Sequence, residues 1–330
     1  MMTNQIATAP RCVCIATVTR DRPVMLECLL RSYSALAVPP GIELRFAIVE
    51  NNPRANLHDI VERFRLSVPE RAVHYEIEPR LGIAFARNRA LDAALHADCH
   101  ILLFADDDEV VDTHWLEHLL AARDRDDLDI VGGPVRLLPL EPAAGTWHRL
   151  VWNGIDRRNR AKEHGASRLW KQGRAARIVL ATGSWLGNLE FFRGTALRFD
   201  ETLGFAGGED SQLWKEAVRR GARTGWAPAA IAAETMPLAR LTLRYQFCRS
   251  RDTCAVALRK KLALRPWKTA LRLPGSMIAR LFKFLACLLL LPFRGGAQLV
   301  AASICLGSLA GLLHGLTGRD IAHYRTTTGA

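Results

Sequence analysis

The chain has 330 residues, 49% hydrophobic and 24% charged, which is enough to bury a large core and too apolar for a disordered protein. Its eight cysteines form no CxxC pair and no Cys/His ligand spacing, which argues against a zinc or disulfide framework and fits small core residues in a reducing cytoplasm. The net charge of +12 is local: residues 238–294 hold 13 Lys and Arg against one acid, Asp252, so the rest is neutral and a nucleic-acid-binding body is set aside.

Residues 1–10 are short, mixed and uncharged, unlike a signal peptide. Residues 12–18 (CVCIATV) form a continuous apolar run, as expected of a strand covered on both faces. Pro23 can open a helix, and apolar residues recur at helical spacing over 25–36. A second strand over 44–49 ends in Glu50-Asn51-Asn52-Pro53, a turn signal. A helix over 57–66, a short strand over 73–77, a helix over 82–95 and a strand over 100–105 follow. Residues 113–123 read as helix and 129–135 as strand. This alternation predicts a mostly parallel sheet with right-handed crossovers. Residues 139–177, rich in Arg, Trp and Gly, read as loops over a site or an acceptor-facing insertion. Apolar strands are expected at 178–181 and 189–192, and a helix within 204–220.

The character changes at residue 238, which divides the chain into regions 1–237 and 238–330. A basic amphipathic stretch runs to about 273, followed by apolar segments 284–293 and 297–316 around Arg294-Gly295-Gly296. The first is too short to cross a bilayer, which takes about 20 residues. The second is long enough but rich in Gly, Ala and Ser. A buried helical hairpin is one reading. The adjacent basic residues favour an anionic lipid surface, so monotopic or re-entrant membrane attachment is expected ahead of a single span.

The chemistry lies at strand ends. An apolar strand stops at Asp106-Asp107-Asp108-Glu109. Four adjacent carboxylates repel one another unless a cation sits among them, and hard divalent ions suit oxygen ligands. Ligands of open α/β sheets bind just beyond the carboxyl ends of the strands, so a metal facing an anionic substrate is expected. Asp106 and Asp108, two apart on an extended strand end, would face one side, and Asp107 the other. A solvated turn capping a helix near Thr113 would need only one or two acids. Arg87 carries a guanidinium fork suited to a paired-oxygen anion. Gly207 and Gly208 permit close backbone approach before Glu209-Asp210, whose charges also suit a helix start. Trp185 and Trp214 fit either stacking on a ligand ring or the core.

Five motifs, in this order over about residues 11–235, resemble the family 2 glycosyltransferases of the GT-A fold, especially bacterial exopolysaccharide enzymes of the succinoglycan type. They are the opening strand with Thr19-Arg20-Asp21-Arg22-Pro23, the end Val49-Glu50-Asn51-Asn52, the run from Gly82 through Arg87-Asn88-Arg89, the acid cluster, and Gly207-Gly208-Glu209-Asp210. The resemblance implies a DxD-like pair, with Asp108 and Asp106 holding Mn²⁺ or Mg²⁺ against the diphosphate of a nucleotide-sugar. It places Thr17, Arg20, Glu50, Arg87, Asn88 and Asp107 on the donor side, Glu50 standing where the family usually has Asp. It makes Asp210 the general base, with Glu209, Gly208, Trp185 and Trp214 on the acceptor side. Gln246-Phe247-Cys248-Arg249-Ser250 partly resembles the QxxRW motif of processive members, with Ser in place of Trp, so a single-sugar, non-processive enzyme is expected. A basic surface helix is the plainer reading of that stretch. The implied activity is inverting transfer of a hexose, most simply from a UDP-sugar, to a lipid-diphosphate-linked saccharide at the cytoplasmic face of the inner membrane. A non-catalytic membrane-bound binding protein or scaffold on the same fold is the alternative.

Overall fold

Strand β1 (Arg11–Thr19) alternates its side chains between two cores, which is why its sequence is apolar throughout. The computed structural model describes residues 10–203, 208–294 and 296–317; Gly207 lies outside the described residues. After β1 come α1 (Pro23–Ser34), β2 (Ile42–Glu50), α2 (His58–Ser67), β3 (Ala72–Ile77), α3 (Ile83–His96), β4 (Ile101–Phe104) and β5 (Glu109–Val111). The chain continues through α4 (Trp115–Asp126), β6 (Ile130–Gly132), β7 (Val135–Leu137), α5 (Thr146–Lys171), β8 (Trp185–Asn188), α6 (Leu189–Thr195), α7 (Glu209–Arg219), β9 (Thr224–Trp226) and β10 (Ala232–Glu234). It ends in α8 (Leu243–Leu264), α9 (Pro266–Leu289), α10 (Leu291–Arg294) and α11 (Gly296–Leu316).

The main sheet has the order β3-β2-β1-β4-β8-β6-β9. It is parallel except for β8, which runs antiparallel to both β4 and β6. Val13 and Ile15 pack under α1, α2 and α4, while Cys12, Cys14 and Ala16 pack under α3, α6 and α7. A small second sheet, β5-β10-β7, lies beyond the acid cluster. All eight cysteines are free.

The structure corrects three expectations. Residues 139–177 are not mainly loops: they hold the 26-residue helix α5. Its Arg-rich face hides a narrow apolar one, where Val151 and Ile155 join Leu137, Leu241 and Val300 in a third core. Residues 189–192 are helical, with Asn188 Oδ1 accepting from Glu190 N at 3.3 Å, and residues 178–181 are irregular. The strand is 185–188, and short apolar runs do not separate strand from helix by periodicity. Residues 129–135 divide into β6 and β7 around Gly133-Pro134, since proline cannot continue a central ladder. The third core also crosses position 237, because α11 packs on α5. A Cβ on Gly154 would lie 2.7 Å from the Gly296 carbonyl oxygen and from Val300 Cγ2.

Candidate active site

The acid cluster is a tight turn rather than an extended strand end. β4 stops at Phe104, and the chain must reverse so that β5 can pair with β10. Glu109 N therefore donates to the Asp106 carbonyl at 3.1 Å. The carboxylates consequently fan out instead of alternating across a pleat, and Asp107 and Asp108 share Arg22. Asp106 Oδ1 accepts from Arg87 Nη2 at 2.8 Å. Asp107 accepts from Arg22 Nη1 at 2.6 Å and from Thr19 Oγ1 at 2.9 Å. Asp108 Oδ2 accepts from two arginines, Arg22 Nη1 at 3.2 Å and Arg240 Nη1 at 3.1 Å. Glu109 folds back to accept from Asp106 N at 2.9 Å.

Glu234, at the end of β10, pairs in register with Glu109 and comes within 4.0 Å of Arg240. Burial, reinforced by Asp108, pushes the Glu234 carboxyl up to about 7. Burial likewise pushes Asp107 up to about 6 against the pull of Arg22. Glu109 is held well above the usual range by burial and by its Asp106 and Asp108 neighbours. This is a site with more negative charge than its fixed cations comfortably offset.

Arg87 joins this turn to the second acidic motif. It is buried on α3 and bonds both Asp106 and Glu209, the first residue of α7. Burial disfavours its charge, yet Asp106 and Glu209 hold the guanidinium firmly protonated. Glu209 keeps its other oxygen, Oε2, buried and without a partner. Gly208 takes φ +89° at the helix start, a conformation that favours glycine, and a Cβ there would meet nothing within 4 Å. Asp210 is half-buried in the first turn, its Oδ1 accepting from Ser211 N at 2.5 Å. The path to α3 is set by Asn51, which donates to the Glu78 and Arg80 carbonyls at 2.9 and 2.8 Å and accepts from Gly82 N at 2.8 Å.

The other expected residues lie around this core in different roles. Thr17 is fully buried, bonded to the Tyr33 hydroxyl at 2.7 Å and to the Ala105 carbonyl at 3.3 Å. Arg20 Nε is buried and lies 3.7 Å from Asp21 Oδ2 with no hydrogen bond. Glu50 is fully buried and accepts from Asn52 Nδ2, Asn56 N, Leu57 N and the Tyr75 hydroxyl, which orders the loop after β2. Asn88 clamps the Phe199 backbone through its N–H and carbonyl, and donates to Glu201. Trp185 packs in the core against Phe104 and Phe192. Trp214 is nearly buried on α7, with its indole N–H unpartnered.

Arg240 and Glu234 had no sequence signal, since each lies more than a hundred residues from the acid cluster and meets it only through folding. Arg22 stood within a recognised motif, but its two carboxylate contacts did not follow from spacing. Gln246 is buried and donates to the Arg240 carbonyl at 3.0 Å, so the partial QxxR match lies against the site rather than on a plain surface helix.

Among the described residues, no three His, Cys, Asp or Glu converge to hold a metal unaided. The donor set instead suits a hard cation that takes one or two carboxylates here and completes its shell with phosphate oxygens and water. The two guanidinium nitrogens on the single oxygen Asp108 Oδ2 mark where positive charge is wanted.

Residues 12–178 match the model of glycosyl transferase family 2. The chain belongs to that family. This glycosyltransferase is 29% identical over 234 residues to the succinoglycan biosynthesis protein ExoM of Rhizobium meliloti (strain 1021), covering 70% of this chain and 69% of ExoM. Its fold is similar to that of the mannosyltransferase PcManGT from Pyrobaculum calidifontis in complex with GDP-Man and Mn²⁺, with TM-score 0.60, 16% identity, and 95% and 89% of the two chains covered. It is also similar to S. aureus TarS 1-349 in complex with UDP, with TM-score 0.51, 14% identity and 90% of each chain covered. The chain spans 43% of the longer TarS. The family resemblance and the GT-A fold expected from the motifs are both borne out.

Proposed function

We propose that this glycosyltransferase transfers a hexose, with inversion, from a UDP-sugar to a lipid-diphosphate-linked saccharide during cell-surface polysaccharide synthesis. The observation that carries this reading is Arg87, which ties the acid turn to the first turn of α7. One guanidinium thereby fixes the spacing between the place for a donor diphosphate and the place for a base.

Asp108, with Asp106, would hold Mn²⁺ or Mg²⁺, which supplies charge neutralisation of the departing diphosphate. Asp210 accepts the proton of the acceptor hydroxyl, which requires the two to come within about 2.6–3.2 Å. The freed oxygen attacks the anomeric carbon, and the bond to the diphosphate breaks with its electron pair leaving on the nucleotide. One displacement inverts the centre, and no covalent sugar-enzyme bond is needed. Gly208 leaves room for the acceptor beside Asp210, and Arg87 keeps Asp106 and Glu209 from repelling each other across the cleft.

Membrane association at the cytoplasmic face is part of the proposal. It is supported by the basic, apolar C-terminal helices and by the likeness to a protein of succinoglycan biosynthesis. A thermal-shift screen of UDP-, GDP- and dTDP-sugars with and without Mn²⁺ tests the donor and metal together, since a ligand bound to the native form raises its apparent stability. A shift with UDP-sugars that requires Mn²⁺ is expected. No shift with any donor would leave the scaffold alternative standing.

A further inference from the structure

Helix α9 presents three distinct faces. Trp267, Leu271, Ile278, Phe282, Leu285 and Leu289 recur every three to seven residues along one line, and all are exposed, with Trp267 at 89%, Leu271 at 85% and Leu289 at 76%. Helical geometry puts these positions within about one quarter of the circumference, at 100° per residue. Cys287, on the far side, is buried against the protein. Arg265, Lys268, Arg272 and Lys283 are exposed and lie together on one side of the apolar line, between it and the Cys287 face. No Asp or Glu occurs from residue 253 to 319. The exposed apolar line continues into α10 at Phe293, which borders a cleft shared with Arg149 and Arg157 of α5.

Helix α11 is different. By length and composition it could cross a membrane. Yet Gly307, Gly311 and Gly315 bring it against α8: an added Cβ would lie 2.3 Å from the Phe247 carbonyl oxygen, 2.4 Å from that of Arg251 and 3.0 Å from Leu258 Cδ2. Ser303 Oγ donates to the Leu243 carbonyl and Ser250 Oγ to the Ile304 carbonyl, each at 2.7 Å. Helix α8 carries Arg249, Arg251, Asp252, Arg259, Lys260 and Lys261, and its Lys260 bonds Asp200 of the catalytic region at 2.8 Å. Threading α11 through a bilayer would draw this charged helix into hydrocarbon, which is steeply unfavourable.

We propose that α9, continued by α10, is the surface that meets lipid. It lies in the plane of an anionic bilayer, with the apolar line at the acyl boundary and the row of cations beside it at the headgroups, while α11 stays with the protein, packed against α8. The inference rests on the membrane association proposed above and specifies its geometry. Charge decides the occupant. A second copy docked face to face would oppose two rows of cations, whereas anionic headgroups complement them. The tryptophan at the start of the apolar line suits the interfacial depth of such a helix.

Full-length protein is floated with vesicles of phosphatidylcholine alone or containing phosphatidylglycerol. Flotation is expected with the anionic vesicles, and at least tenfold less with neutral ones. The combined variant Trp267→Glu, Leu271→Glu, Phe282→Glu is expected to lose flotation at least tenfold while keeping the UDP-sugar thermal shift of wild type. Flotation of that variant at the wild-type level would overturn the role of α9 and leave membrane association by α11 intact. No flotation of wild type would overturn both, without bearing on donor binding. Quenching of wild-type emission by brominated phosphatidylglycerol provides an arm that does not depend on the triple variant folding. Trp267→Phe should abolish most of the quenched component, and an unchanged component would refute the placement. A dimer formed through α9 in vesicle-free solution, detected by light scattering and abolished by the triple variant, would also refute it.

Discussion

Arg240→Ala tests whether arginines occupy the charge that a metal would otherwise supply at Asp108. Arg240 Nη1 lies 3.1 Å from Asp108 Oδ2 and 4.0 Å from Glu234 Oε1, and both Arg240 and Asp108 side chains are close to buried. Unit charges at about 4 Å attract by about 4 kcal/mol at an effective dielectric constant near 20. Arg22 retains its own 3.2 Å bond to the same oxygen, and hydration of the freed carboxylate offsets part of the loss. A net effect of about 1.5–2 kcal/mol remains, at the low end of the range for a charged hydrogen bond. Any cation that takes Asp108 must displace that interaction. Removing it should therefore tighten Mn²⁺ binding to the nucleotide-free enzyme by roughly tenfold, since 1.4 kcal/mol is a factor of ten. With UDP present the sign should reverse, because the guanidinium is then available to the diphosphate and its loss costs a charge-assisted contact. Calorimetric titration of Mn²⁺ into full-length wild type and variant, with and without UDP, measures both. Mn²⁺ affinity that is unchanged or weaker without nucleotide would refute the competition between Arg240 and the metal.

Asp210→Asn should lower transfer by about 10²–10⁴-fold while leaving the donor-induced thermal shift unchanged, as measured by release of UDP with acceptor present. Arg87→Met leaves Asp106 and the buried Glu209 without their shared cation and should destabilise the fold by about 3–5 kcal/mol in denaturant titrations. Arg87→Lys should recover little of this, because an ammonium cannot fork between two carboxylates. The Glu234 carboxyl is raised from 4.5 to about 7 in the fold, so the native state binds that proton more tightly than the unfolded chain. Its stabilising contribution is complete below pH 4.5 and is lost as pH climbs through about 7, so the melting temperature of the ligand-free enzyme should fall over that interval. Glu234→Gln should flatten that part of the profile, and an unaltered profile would count against the assignment.

The amino-acid sequence by itself determined the parallel core and the family. Each of these is written in short-range terms. Residues 12–18 are apolar on both faces because helices cover both, and acids clustered at a strand end signal a charged ligand wherever the strand lies. Only the tertiary structure decided which carboxylate meets which cation. Asp106 and Asp108 do not share a pleated face, because pairing of β5 with β10 forces a turn there. Glu50 and Asn88 order loops around the site, and their polar atoms are taken up by partners such as Tyr75 and Phe199 that no local spacing could name. Helix α5 was hidden because its arginines outnumber an apolar stripe that acquires meaning only when Val300 packs against it. Arg240 reaches Asp108 across 132 positions, and contacts of that range depend on topology rather than on local pattern.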